Sequence, residues 1–224
     1  MSLLIFDCDG VLVDSEIIAF DVLAQMLSAL GRPMSLAECR RRFMGRRTPE
    51  VLAEIEADLG HPIPPDTGLR MKGLLFDRLR HELRPVEGVK EAIARLPRPI
   101  CVASSSSPER IALSLEVTGL APLFGAHVFS AEQVAQGKPA PDLFLFAARS
   151  MGVAPGETIV IEDSTAGVTA ARRAGMGIIG FAGASHADQE LIEALHAAGA
   201  AVVLTNMADL PAAVAKLGTG QAVS

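Results

Sequence analysis

Six short runs of continuous apolar character constrain this chain more than any other feature: Leu3–Phe6, Ile100–Ala103, Ala126–Phe129, Thr158–Ile161, Gly177–Phe181 and Ala201–Leu204. None alternates apolar with polar residues, as a strand with one wet face would. Continuous runs of this length suit strands covered on both sides, which is the situation inside a parallel sheet. Segments of helical pattern separate most of them. The expected fold class is therefore α/β, with a Rossmann-like parallel sheet core. Helix starts are also marked. Ser107-Pro108-Glu109 offers a cap, a Pro at the first helical position and an acid in the first turn, and Thr48-Pro49-Glu50 repeats the device. Ser35-Leu36-Ala37-Glu38 is a capping box, and Asp142 and Ser164 are further candidate caps.

One region breaks the alternation. From Asp14 to Arg84 the sequence reads as helix after helix without a convincing strand. That is too much helix for one crossover, so an α-helical bundle inserted after the first strand is expected. The division is 1–13 and 85–224 for the α/β core, with 14–84 for the insertion. The links fall near Val13–Ser15 and His81–Glu87, where Arg84-Pro85-Val86-Glu87-Gly88 reads as a hinge. The tail Gly218–Ser224 reads as frayed.

Composition narrows the function. The 224 residues carry a formal net charge of −6, which disfavours nonspecific attraction to nucleic acid or to an anionic membrane. Nine Phe with no Trp and no Tyr leave few faces for stacking bases or sugar rings. The three cysteines, Cys8, Cys39 and Cys101, lack the spacing of a disulfide framework or a zinc site, and the five histidines are scattered. No uncharged stretch is long enough to span a membrane, and acidic residues enter at Asp7, before a signal peptide could fit. A cytoplasmic location is expected. The oligomeric state is not legible.

In an open parallel sheet, ligands sit at the carboxyl ends of the strands. There the sequence places Asp7-Cys8-Asp9-Gly10 after the first run and Ser104-Ser105-Ser106-Ser107 after the second. Glu162-Asp163-Ser164 follows the fourth, with Gly137-Lys138-Pro139 before it. Asp7, Asp9 and Asp163 supply the hard oxygen donors that Mg²⁺ prefers. A carboxylate beside such an ion can attack phosphorus, and a second one can serve as acid and base. Ser104 offers a hydroxyl and Lys138, one of four lysines, offers a point charge to phosphoryl oxygens. For Ser105 and Ser106, turn chemistry and phosphate contact are equally good readings. Cys8, between two carboxylates, is not expected to be a nucleophile.

Asp7-Cys8-Asp9-Gly10-Val11-Leu12-Val13-Asp14-Ser15, then Ser104, then Lys138-Pro139, then Glu162-Asp163 resembles the four ordered motifs of the haloacid dehalogenase-like (HAD) hydrolase superfamily. The match is to its phosphatases with a helical cap, the phosphoglycolate phosphatase and β-phosphoglucomutase-like subgroup. It spans Leu3 to Leu204. The resemblance implies a phosphatase with Asp7 as nucleophile and Asp9 as acid and then base. It also implies Mg²⁺ held by the Asp7 and Asp163 side chains and the Asp9 carbonyl, with Glu162 supporting the metal's waters or the substrate. The substrate it implies is a small phosphorylated metabolite, a sugar phosphate or a phospho-acid.

Two alternatives stay open. A β-phosphoglucomutase-like mutase usually has a His where this chain has Ala19 and a cap Arg where it has Thr48, although Arg46 and Arg47 lie close by. A non-catalytic phosphometabolite-binding protein would be expected to lack one of the key groups. In the insertion, Arg40–Arg42 reads as a solvated helix face, whereas Arg46 and Arg47, just before Thr48, are candidate contacts for a second anionic group on the substrate. Arg70 and Lys72 are weaker candidates of the same kind.

Overall fold

The computed structural model describes residues 2–44, 46, 48–97 and 99–218. Strand β1 (Leu3–Phe6) is followed by four helices in succession, α1 (Glu16–Ala29), α2 (Leu36–Phe43), α3 (Thr48–Leu59) and α4 (Thr67–Glu82). Next come α5 (Val89–Ala94), β2 (Ile100–Ser104), α6 (Pro108–Val117), α7 (Ala121–Phe124) and β3 (Val128–Ser130). The chain continues through α8 (Asp142–Ser150), β4 (Thr158–Glu162), α9 (Thr165–Arg173), β5 (Gly177–Phe181), α10 (Gln189–Ala198), β6 (Val202–Leu204) and α11 (Leu210–Gly218).

The six strands form one parallel sheet in the order β3-β2-β1-β4-β5-β6. The order reverses beside β1, so the residues after β1 and β4 flank the crevice where an open α/β sheet takes its ligand. Side chains of β1 alternate between two apolar layers. Leu4 and Phe6 enter one with Val102 and Ile161, and Leu3 and Ile5 enter the other with Phe144 and Val160. Each fully buried residue of this kind contributes about 1.5–3 kcal/mol, which explains why both faces of the strand are apolar.

Strand β3 begins two residues later than its apolar run, at Val128. The His127 amide closes the turn after α7 by donating to the Phe124 carbonyl (3.0 Å) and is lost to the ladder. Ser107 and Ser164 cap α6 and α9 through their hydroxyls, and Ser35 forms its capping box with Glu38. Asp142 does not cap: Pro141 holds that position, and Asp142 is an acid in the first turn, where the helix dipole favours it.

The two segments that join the helical insertion to the sheet run side by side. Val13 and Pro85 form an antiparallel bridge, the Asp14 amide donates to the Arg84 carbonyl (3.0 Å), and the Val86 amide to that of Leu12 (3.0 Å). The insertion has its own apolar cluster, including Phe20, Leu27, Cys39, Phe43 and Ile55. Its first and last helices also send Ile18, Val22, Leu75 and Leu79 into the layer beneath the sheet. The insertion is therefore seated on the core as well as tied to it.

Candidate active site

Asp7 leaves the end of β1 with its amide bonded to the Ile161 carbonyl of β4 (3.0 Å). Cys8 to Val13 then form a tight turn in which Gly10 adopts φ 76°. No side chain fits there, since a Cβ on Gly10 would lie 1.8 Å from Asp163 Oδ2. The glycine lets the β1 turn and the β4 turn approach until their carboxylates share one site.

Lys138 organises the charges. Its ammonium is 3.0 Å from Asp7 Oδ1 and donates to Glu162 Oε1 (2.6 Å) and to the Ala103 carbonyl (3.2 Å). Burial opposes its charge, but Asp7 and Glu162 hold its pKa above the ordinary lysine range. Glu162 is fully buried, and its other oxygen accepts from the Ser164 amide (2.7 Å) and hydroxyl (2.9 Å). Glu162, expected to support the metal's waters or the substrate, has one oxygen on Lys138 and the other on Ser164. Gly167 permits this packing, because a Cβ there would meet Glu162 Oε1 at 1.8 Å.

Asp7, Glu162 and Asp163 each offer an oxygen, and these lie within 4.8 Å of one another. Asp163 Oδ2 is buried without a hydrogen-bond partner, as a ligand atom awaiting a cation would be. Burial, opposed by Lys138 and reinforced by the neighbouring carboxylates, pushes Asp7 well above the usual carboxylate range. Asp163 is pushed up by burial and then by Glu162. A divalent ion would relieve both effects, so the residues fit a metal. Asp7 and Asp163 have the oxygens free to hold it.

Asp9 sits in different surroundings. Its Oδ2 accepts from the Ser106 hydroxyl (2.6 Å), and its Oδ1 accepts from Arg110 Nη2 (2.6 Å) and the Ser15 hydroxyl. Burial alone would raise its pKa, but the Arg110 charge and the two hydroxyl donors hold it below the usual carboxylate range. Ser104 is buried at the end of β2, where its hydroxyl accepts from the Ser106 amide (3.1 Å).

Above these groups lies a cavity of about 690 Å³ lined by Asp7, Asp9, Ser104, Ser105, Lys138 and Asp163 below and by residues of α1, α3 and α4 above. Arg46 lines it too, but its guanidinium is paired with Glu54. Arg47 lies outside the described residues. Arg40 and Arg42 are not a free solvated face: Arg40 bonds the His186 carbonyl and Asp188, and Arg42 pairs with Glu54 and Asp58. Arg70 pairs with Asp66, and Lys72 reaches Glu109 of α6. The Cys8 thiol is pushed up by burial and by the Asp9 and Asp7 carboxylates, so it is no nucleophile.

Three residues at the site escaped the sequence reading of single functional groups. Arg110 follows the Ser107 cap by one helical turn, which aims it back at the strand ends, and this position was a usable signal. Glu16, at the start of α1, lines the cavity, and burial followed by the Asp9 and Asp163 charges pushes it up to about 8. His186 comes from the loop after β5, and its Nε2 lies 3.3 Å from Asp163 Oδ2. Nothing local in the sequence marks it.

Similarities to other proteins agree with this geometry. The family model of the haloacid dehalogenase-like hydrolases matches residues 1–175. A phosphorylated carbohydrates phosphatase of Thermotoga maritima is 33% identical over 79% of this chain and 82% of its own length. A 6-phosphogluconate phosphatase of Escherichia coli is 28% identical over 81% of this chain and 82% of its own. The crystal structure of a conserved haloacid dehalogenase-like protein of unknown function from Agrobacterium tumefaciens superimposes with a TM-score of 0.85 at 41% identity, over 97% of this chain and 99% of that one. A parallel sheet whose first and fourth strands carry Asp7 and Asp163 to Lys138, from the segment before α8, therefore belongs, with the rest of this chain, to the haloacid dehalogenase-like hydrolases.

Proposed function

We propose that this protein is a Mg²⁺-dependent phosphatase that hydrolyses a small phosphorylated metabolite through an aspartyl-phosphate on Asp7. The observation that carries this reading is the meeting of Asp7, Asp163, Lys138 and Ser104 on the floor of one cavity. Mg²⁺, held by the Asp7 and Asp163 side chains and the Asp9 carbonyl, would offset the repulsion between Asp7 and an anionic ester and polarise the phosphoryl group. Asp7 attacks phosphorus, and the leaving oxygen takes a proton from Asp9. Arg110, Ser106 and Ser15 hold Asp9 as a carboxylate in the free protein, so it must take up that proton from solvent before the P–O bond breaks. Asp9 then removes a proton from the water that hydrolyses the aspartyl-phosphate. Ser104 and Lys138 hold the phosphoryl oxygens, and Ser105 borders the same space.

Residues 14–84 act in this reading as a cap over a core of 1–13 and 85–224, excluding bulk water and large polymers. A sugar phosphate or phospho-acid fits a cavity of about 690 Å³, and relatives named for phosphorylated carbohydrates and 6-phosphogluconate support that class. Ala19 lines the cavity where a mutase would want a histidine, which favours hydrolysis. Three buried free thiols agree with a reducing, cytoplasmic setting. The test is phosphate release from p-nitrophenyl phosphate and a panel of phosphorylated metabolites, with and without Mg²⁺. Release that needs both Mg²⁺ and Asp7 is expected. A panel with no such release overturns the reading.

A further inference from the structure

Asp9 is fastened by side chains from three separate places: Ser15 at the entrance to α1, Ser106 after β2 and Arg110 in the first turn of α6. Arg110 also reaches the Ser15 hydroxyl at 3.4 Å, so it bridges Asp9 to the segment that leads into the helical insertion. Its neighbour Glu109 points the other way and takes Lys72 of α4. One helical turn therefore grips the insertion with one residue and Asp9 with the next.

The Arg110 guanidinium is poorly explained as a stabilising feature. Its side chain is 17% exposed, and its Nε is buried without a hydrogen-bond partner. A buried ion pair with an unsatisfied donor is weak evidence for stability. Its geometric effect is clear, however. The serine hydroxyls rotate freely, whereas a planar guanidinium defines both a direction and a distance for the oxygen it holds.

We propose that Arg110 is a positioning residue, fixing the Asp9 carboxylate relative to the seated insertion and thereby governing the departure of poor leaving groups. The inference rests on the phosphatase reading above. An alkoxide leaving group needs a proton placed on its oxygen as the P–O bond breaks, and a misplacement of ~1 Å at such a group can cost ~100-fold. A nitrophenolate is stable enough to leave without that proton. Loss of Arg110 is thus felt through the alkyl esters.

The test is single-turnover P–O cleavage by the Mg²⁺-loaded protein, with fructose 1-phosphate and 6-phosphogluconate as alkyl esters and p-nitrophenyl phosphate as the aryl ester. Arg110→Met is expected to lower the alkyl-to-aryl rate ratio by roughly 30-fold. Arg110→Lys keeps the charge but lacks the planar head that places Nη2 on Asp9 Oδ1, and should lower the ratio by roughly threefold. An unchanged ratio in Arg110→Met, with both esters slowed in parallel or neither slowed, overturns the proposal. If that variant does not fold, an unchanged ratio in Arg110→Lys does the same. Failure of the wild-type protein to cleave any of the three esters would count against the phosphatase reading itself, a result separable from an unchanged ratio.

Discussion

The sheet end and the helical insertion both carry many charges, but they hold them under opposite conditions. At the sheet end the ion pair of Lys138 with Glu162 joins side chains that are 1% and 0% exposed. In the insertion, Arg42 and Glu54 are 29% and 31% exposed, and Arg78 and Glu82 are 24% and 46%. Water screens the second kind of pair and leaves each worth about 0–1 kcal/mol. The first kind has no such screening, so every charge there depends on its partners. The charges at the strand ends are buried and depend on one another, whereas those of the insertion are partly exposed to water.

The contrast between the two regions is greatest at Asp7. Asp7→Asn should lower phosphate release by ~10⁴-fold or more, because it removes the proposed nucleophile. The same change removes a carboxylate that burial already holds well above its ordinary range, so Tm should not fall by more than a few degrees. A large loss of Tm would mean that the sheet end is built for stability first.

Lys138→Met tests the converse. It leaves Asp7 and Glu162 buried without their counter-ion and should cost about 3–5 kcal/mol in urea unfolding. Arg46→Ala, which breaks a half-exposed pair with Glu54, should cost less than about 1 kcal/mol. Equal costs would erase the distinction between the regions.

Glu16 provides a pH handle. Its pKa rises from 4.5 to about 8 on folding, so its contribution to stability is full below pH 4.5 and is lost as pH rises through about 8. In metal-free protein, Tm measured from pH 5 to 8.5 should therefore fall less for Glu16→Gln than for wild type. Identical slopes would show that Glu16 is solvated. Smallest of all, Ser35→Ala removes the capping box of α2 and should cost about 1 kcal/mol, read by thermal unfolding, without changing turnover.

How far residues could be read in advance followed the range of the forces acting on them. The strand runs were legible because burial on both faces leaves an uninterrupted apolar string, and Ser35, Ser107 and Ser164 were legible because capping is settled within four residues. The boundary of β3 was not, since the His127 amide is bonded to Phe124 in the turn after α7, a contact that the apolar run does not reveal. The sequence motifs also grouped the strand-end residues Asp7, Ser104, Lys138 and Asp163, which the fold brings to one cavity floor. They said nothing of which carboxylate each cation serves. Arg46 could be read as facing a substrate, yet it pairs with Glu54, eight residues away across an interhelical turn.

The α/β class, the succession of helices after β1 and the grouping of Asp7, Asp9, Ser104, Lys138 and Asp163 at the strand ends were thus legible in the sequence, because apolar periodicity, capping and motif spacing are local or strictly ordered along the chain. Only the tertiary structure decided that Asp7 and Asp9, two residues apart, would be driven in opposite directions. Asp7 meets Lys138 and the carboxylates of Glu162 and Asp163, whereas Asp9, equally buried, meets Arg110, Ser106 and Ser15. A carboxylate's behaviour is set by the charges and donors within a few ångströms, and those come from distant parts of the chain.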